Sequence, residues 1–532
     1  MIVPLMEAAA DTCGGKGGTL GALLRAGLPV PDGFVIPFAA YLAAVRDLGL
    51  DLDHDLDLAT DPDRSRGPDL GRDLGPDHDA DPRRDLDPDR KRGPDRDRGQ
   101  GRVAAVRQAI AGRPLHTTLI DELGRELGRL GDQPVAVRSS ASGEDTGEAS
   151  AAGQHESFLA VQGAGEVARA VRACWASLWS PRAITYRGDD GAPAEPVMAV
   201  IVQRHLDAEV SGVMFTSTGA DGATEIEASW GLGPSVVGGT VTPDAYRVAG
   251  DGTVTRTVAD KRTRLDRQGA RLVVRDVPAD ARNRPALDDA TAARLAALGE
   301  KIATVLGGPQ DVEWAIADGH TWVLQSRPIT AALPLRPSPL AAPAGVLAST
   351  PHATAGTLTR TPDTPHGTPA RTPDGPHGTP DVPHNVRDVP HGVPDVPDVP
   401  DVPDVPDVPD VPHDGPDVPH GTSDVLHNVL TGAPGSRGMA TGPARIVRGP
   451  GDFARVRPGD ILVCPFTDPA WTPLLRIAAG VVTETGGVLS HAAIVAREQA
   501  IPAVLGVPDA TGTLHDGTLI TIDGTTGTVT TI

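Results

Sequence analysis

The sequence predicts an α/β protein with two folded blocks held apart by a low-complexity stretch. Three observations predict it. Helix-period segments alternate with short strand-like runs; two stretches lack apolar periodicity; and a Gly-Gly turn runs into a histidine at the head of an apolar segment. At 532 residues there is room for two or three domains.

In chain order, Gly18–Arg25 reads as helical, behind the glycine-rich run Gly14–Gly21. Pro134–Ser140 reads as a strand entering a loop, and Glu166–Trp179 as an amphipathic helix. Val197–Gln203, Ser211–Thr216 and Ala223–Ser229 read as strands and Thr291–Leu306 as a helix. Asp311–Pro328 reads as a β-hairpin turning near Asp318-Gly319. On its pleat Val312, Trp314 and Ile316 share one face, which Trp322 and Leu324 are expected to join. Glu313, Gln325 and Arg327 then fall on the opposite face. A two-residue loop would set these groups out of phase, so an odd loop of about three residues with a bulge is expected.

Residues 51–101 alternate Asp, Arg, Pro, Gly and Leu without apolar periodicity and predict a solvated, disordered insertion. Residues 335–430 predict a disordered linker. Its Thr-Pro-Asp and Pro-His-Gly units and the Val-Pro-Asp repeat from Val393 to Pro412 favour an extended polyproline-like chain. The same composition also fits a passive low-complexity expansion, and its histidines form no compact ligand set. The expected domains are therefore 1–334, interrupted by 51–101, and 431–532.

A formal net charge of −22 argues against non-specific binding to nucleic acid or to a membrane surface. No run of about 20 apolar residues is present, so no membrane span is expected. The start Met1–Glu7 has neither a basic segment nor a long apolar core, so no signal peptide is expected. Cys13, Cys174 and Cys464 have no metal-like spacing and suggest reduced thiols in a cytoplasmic protein.

Candidate chemistry lies in four segments. In Thr483–Arg497 a Gly-Gly turn delivers His491 to the start of an apolar helix-forming run. Backbone N–H groups and the positive helix end favour an anion there, and neutral imidazole is a nucleophile near pH 7. A capping Ser490 followed by an ordinary histidine would give the same isolated pattern. In Gly14–Gly21, glycines allow close approach to phosphate oxygens and Lys16 offers a mobile charge, although a plain flexible turn fits equally and the P-loop spacing is absent. In Val135–Thr146 and Glu148–Gln154, Arg138 at a strand end precedes a small-residue loop, which suits a phosphate clamp and lid; a salt bridge to Glu144 or Asp145 is the alternative. In the hairpin, Glu313 and Gln325 can offer oxygens to Mg²⁺ while Arg327 meets phosphate, or the three can form a solvated polar face.

The run Gly459–Pro473, the segment around His491, Ile501–Gly506, Asp516-Gly517 and Ile522–Gly524 together resemble the swivelling phosphohistidine domain of the PEP-utilising enzymes. That family includes phosphoenolpyruvate synthase, pyruvate phosphate dikinase and rifampin phosphotransferase. The three front segments, with Val202-Gln203, Ser211–Thr216, Ser229–Gly233 and Pro243–Tyr246, resemble its ATP-grasp nucleotide-binding domain. The resemblance implies an ATP-grasp-like domain joined by the linker to a small swivelling β/β/α phosphohistidine domain. It implies ATP and Mg²⁺ as cofactors and His491 as the phosphorylated residue. Lys16 and Arg138 would touch phosphates, Gly153 and Gln154 belong to the lid, Gln203 lie in the adenine-binding hinge, and Glu313 and Gln325 bind magnesium.

The implied activity is a dikinase-type transfer with AMP as the nucleotide product and a small molecule or a separate acceptor protein receiving the phosphoryl group. A phosphocarrier subunit and a nucleotide-binding pseudoenzyme are the alternatives. His205, Pro234 and Thr218-Gly219 depart from the family's usual methionine, glutamate and Asp-Pro, and Leu489 stands where several members carry threonine. The family's pyruvate barrel and helical drug-binding domain have no counterpart among these segments, so no acceptor site is assigned.

Overall fold

The computed structural model describes residues 2–49, 94–142, 156–181, 183–184, 196–218, 222–331, 333 and 429–532. The linker up to 428, most of the 51–101 insertion, and the candidate lid residues Gly153 and Gln154 lie outside them.

The front block opens with β1 (Val3–Pro4), α1 (Ala10–Arg25), β2 (Gly33–Ile36) and α2 (Phe38–Asp47). Helix α3 (Pro94–Gly112) reaches back into the stretch expected to be a disordered insertion, with proline in its first turn, where a missing N–H costs nothing. There follow α4 (Thr117–Arg129), β3 (Val135–Ala141), β4 (Ser157–Val161), α5 (Ala164–Ser177) and β5 (Met198–Arg204). The five strands form one antiparallel sheet in the order β1-β2-β5-β3-β4. One face buries Tyr41, Ile110, Leu123, Val137, Trp175 and Val200 beneath α2–α5.

The second sheet is built from β6 (Val210–Phe215), β7 (Thr224–Trp230), β8 (Asp244–Val248), β9 (Val254–Thr257), β12 (Gln310–Ala317) and β13 (His320–Pro328). Its order is β13-β12-β6-β7-β8-β9, antiparallel throughout. Strands β10 (Thr263–Gln268) and β11 (Arg271–Asp276) form a separate hairpin. The front half thus alternates helices and strands as the pattern implies, yet both main sheets are antiparallel. Helix α6 (Asp289–Leu306) begins where the Asp288 carboxylate accepts from Thr291 N at 2.7 Å and ends at Gly307 in the left-handed region. Its buried stripe, Ala292, Leu295, Ala296 and Ile302, joins Leu20 and Leu23 of α1, Ile201 of the first sheet and Trp314 of the second in one core.

The rear block comprises β14 (Val429–Thr431), β15 (Ala433–Ser436), β16 (Met439–Ile446), β17 (Ile461–Cys464), β18 (Gly480–Thr483), α7 (His491–Glu498), β19 (Ala503–Leu505), β20 (Leu519–Asp523) and β21 (Thr528–Thr531). Its sheet runs β14-β21-β20-β16-β17-β18-β19-β15, and β16 through β19 are mutually parallel. Helix α7 and Trp471 cover one face through Leu462, Val481 and Leu505, while Ile461, Val482, Val504 and Ile520 pack on the other. Both blocks belong to one compact unit, Met1–Arg336 with Leu426–Ile532. All three cysteines are free and buried. Among the described residues no helix is long and apolar enough to cross a membrane.

Candidate active site

The glycine-rich run is part of a helix, with a break at Gly14 (φ 77°, ψ 168°). Ser140 of β3 fills that break: its hydroxyl donates to Cys13 O at 2.7 Å and accepts from Gly17 N at 3.1 Å. Cβ atoms added at Gly14, Gly18 or Gly21 would collide with backbone of Ser140, Ala10 and Ala8 respectively. These glycines allow α1 to pack closely on its neighbours, and the run is helical with one break where a turn was expected. Lys16 stands half-buried just after the break, between Cys13 and Gly17, the two residues bonded to Ser140.

Arg138, two residues before Ser140, crosses to the second sheet. Its guanidinium donates to Glu313 Oε2 at 2.9 Å and to Leu324 O at 2.7 Å, so its carboxylate partner is Glu313. The alternatives Glu144 and Asp145 lie outside the described residues. Arg327 pairs with Asp311 Oδ2 at 2.8 Å, so this guanidinium already has a carboxylate partner beside the place proposed for phosphate. Gln203 is buried, and its Nε2 donates to Pro31 O at 3.0 Å; its carboxamide is spent inside the first sheet's packing. His205 is buried too, and its imidazole is pushed down to about 4, chiefly by burial and then by Arg267.

The hairpin differs from expectation in its turn. Ala317 pairs with His320, leaving the two-residue loop Asp318-Gly319, both with positive φ as a type I′ turn requires. The phase is restored farther down: Glu313 faces Gln325 and Trp314 faces Val323, so Leu324 is the extra residue of a bulge. Val323, not Trp322 or Leu324, therefore joins Trp314 in the core. Trp322 faces Ala315 and lies under the Arg204 guanidinium, 5.2 Å from the ring centre. Glu313, Gln325 and Arg327 share one face, as the alternation requires.

That face continues across the sheet. Residues directly opposite one another point the same way, so Gln325, Glu313, Val213 and Glu227 form one row and Arg327, Asp311, Phe215 and Glu225 the next. Val213 and Phe215 are buried with Val236, Val241, Leu489 and Ile494. The last two flank His491. The rear block's histidine loop is thus seated on the face that carries the Glu313 row. Thr485 Oγ1 donates to Gly239 O at 2.6 Å and Thr330 Oγ1 to Glu498 at 2.7 Å, adding polar ties across the seam. The apolar surroundings also account for leucine at 489.

His491 is the first residue of α7 and is buried. Its Nδ1 lies 3.1 Å from Thr467 Oγ1. With the proton on Nδ1 the ring donates to that hydroxyl and leaves its lone pair on Nε2, the nucleophilic arrangement. Thr467 stands in the Thr-Asp-Pro-Ala-Trp run, whose Asp468 caps the following turn by accepting from Ala470 N at 2.7 Å. That capping signature was the available signal for Thr467. Glu227 was missed: Ala223–Ser229 was read as a strand and nothing more, whereas the carboxyl of Glu227 is buried and pushed up to about 7 by desolvation. Arg497 is half-buried, with guanidinium nitrogens shut off from solvent; desolvation pushes it down to about 10, and it donates to Gly435 O and Val488 O.

The chain is similar to known proteins over both blocks. The family described as pyruvate phosphate dikinase, AMP/ATP-binding domain matches residues 10–336, and the PEP-utilising enzyme mobile domain matches residues 456–527. The chain belongs to this PEP-utilising dikinase family. A probable phosphoenolpyruvate synthase of Methanothermobacter thermautotrophicus is 33% identical over 97% of this chain and 61% of its own length. Phosphoenolpyruvate synthase of Pyrococcus furiosus is 31% identical over 97% of this chain and 56% of its own. A rifampicin phosphotransferase of Streptomyces sp is 40% identical over 44% of this chain and 28% of its own length. The chain therefore spans little more than half the length of the phosphoenolpyruvate synthases it matches.

Proposed function

We propose that this chain carries out the ATP-driven half of a dikinase-type phosphotransfer. ATP held between the two front sheets phosphorylates His491 and departs as AMP; the rear block then delivers the phosphoryl group to an acceptor. In the first step the imidazole attacks the β-phosphorus: a nitrogen–phosphorus bond forms as the bond from that phosphorus to the α–β bridging oxygen breaks. AMP leaves with that oxygen, and water then takes the γ-phosphate off as orthophosphate. The attack requires in-line approach within about 3–3.5 Å. The observation that carries this reading is the seating of the His491 loop on the same sheet face as Glu313 and Gln325.

Lys16 and Arg138 serve as phosphate contacts, with Arg327 released from Asp311 when phosphate arrives. Glu313 and Gln325 supply a carboxylate and a carboxamide oxygen, a hard donor pair that suits Mg²⁺ completed by phosphates and water. When bound, that ion neutralises developing phosphate charge. Gly153 and Gln154 act as the lid, and Gln203 contributes through its place in the hinge strand, its side chain being engaged elsewhere. The acceptor is a small molecule; the relatives' names supply two candidates, the precursor of phosphoenolpyruvate and rifampicin.

The experiment is incubation with Mg²⁺ and ATP labelled in its β- and γ-phosphates. Acid-labile label on His491 together with AMP is expected, and both vanish in His491→Ala. AMP formation and acceptor phosphorylation persisting in that variant would overturn the relay. Adding each acceptor candidate should discharge the label from the histidine.

A further inference from the structure

We infer that Glu227 is a positioning residue of the histidine relay: its carboxyl group is the seat on which the His491 loop docks against the nucleotide half. The contact stands by itself; its purpose rests on the relay proposed above. Glu227 projects from β7 into the start of α7, where Leu489 N donates to its Oε2 at 3.2 Å. The fit leaves no spare room, because a Cβ on Gly487 would strike all three atoms of the carboxyl group. Gly487 does not have positive φ, so glycine is required there by the neighbouring carboxyl and not by backbone conformation. A front-block acid thus occupies the anion-favouring backbone ahead of the phosphoryl-carrying ring.

The groups facing it are few. The loop presents Leu489 N and Val488 N, and α7 brings the buried Arg497 guanidinium; Glu225 lies on its own strand, while β6 and β8 oppose it with Val213 and Ala245. Burial dominates and raises the carboxyl from 4.5 to about 7, against the opposing pull of the two N–H groups and Arg497. A released loop returns it to water and to its ordinary value. The seated state therefore binds more protons between pH 4.5 and 7, so seating is strongest below that window, weakens through it, and levels off above. Across the window the ratio of seated to released loop falls by up to about 300-fold.

The test is hydrogen exchange of the peptide spanning residues 484–496 in the full chain, without nucleotide, followed by His491 labelling from Mg-ATP. At pH 6, Glu227→Ala should speed exchange by about tenfold or more and slow labelling to match, with nucleotide affinity unchanged. Glu227→Gln keeps an acceptor oxygen without the charge; it should stay protected at pH 6 and exceed the unaltered chain in protection at pH 8. Gly487→Ala should release the loop from the other side, and should add nothing in a Glu227→Ala background, where its methyl group has space. Unaltered protection in Glu227→Ala, or a Gly487→Ala effect undiminished in that background, overturns the seat. If the exchange order holds but the unaltered chain never gains label, the seat stands and the relay falls.

Discussion

Single residues here are decided by partners far away in sequence. Glycines at 14, 18 and 21 were legible as places where a Cβ cannot be borne, but a phosphate and a neighbouring backbone make the same demand, and the backbone is what meets them. Arg138 was legible as a strand-end cation open to a carboxylate or a phosphate; that Glu313 holds it needs the two sheets to meet. His205 gives a prediction at this scale. Its folded value, about 4, lies below its usual 6.5, so the unfolded chain binds the extra proton first as pH falls. Its contribution is intact above 6.5 and is lost progressively toward 4, at most about 3 kcal/mol. His205→Met should remove this acid sensitivity, read as a smaller loss in urea midpoint between pH 7 and pH 4.5.

Elements were more legible than residues. Of the front-block elements read in the sequence, all but α1, which starts eight residues before its expected Gly18, fall within a residue or two of their expected bounds, because hydrophobic period and caps such as Asp288 and Gly307 are local signals. What local signals do not carry is where along the hairpin a bulge falls. The β12–β13 turn is even, and Leu324 supplies the offset that an odd loop was expected to supply. Trp322 was misassigned to the core for that reason. Deleting Leu324 should leave the ladder regular from Glu313 to the turn, and so force either Gln325 and Arg327 or Trp322 and Val323 onto the wrong face. The expected result is destabilisation of several kcal/mol, since Val323 and Trp314 are fully buried partners. Urea unfolding followed by tryptophan fluorescence checks it. A deletion variant as stable as the parent would mean that the bulge does not set the phase.

At the scale of the whole molecule, the sequence made two folded blocks legible but not the seam between them, since Val213, Phe215, Leu489 and Ile494 look like the ordinary core residues of their own domains. The seam is apolar at its centre, its acid Glu227 is buried and the Nε and Nη2 of Arg497 are shut off from solvent, while the net charge of −22 is carried elsewhere as well. Salt screens exposed charges over about 8–10 Å and buried ones far less. Exchange protection of residues 484–496 should therefore change by less than about twofold between roughly 0.05 and 0.5 M salt. Rapid exposure on adding salt would show peripheral charge to be what holds the blocks together.

The row Glu313, Val213, Glu227 also makes the sheet a ruler. Neighbouring strands stand about 4.8 Å apart, so two strand pitches, roughly 10 Å, separate the Cα of the proposed ion ligand from that of the acid beneath the carrier loop. Main-chain hydrogen bonds calibrate that span. Side-chain exchange along the row can retune grip or charge at either end, but only adding or losing a strand would alter the gauge.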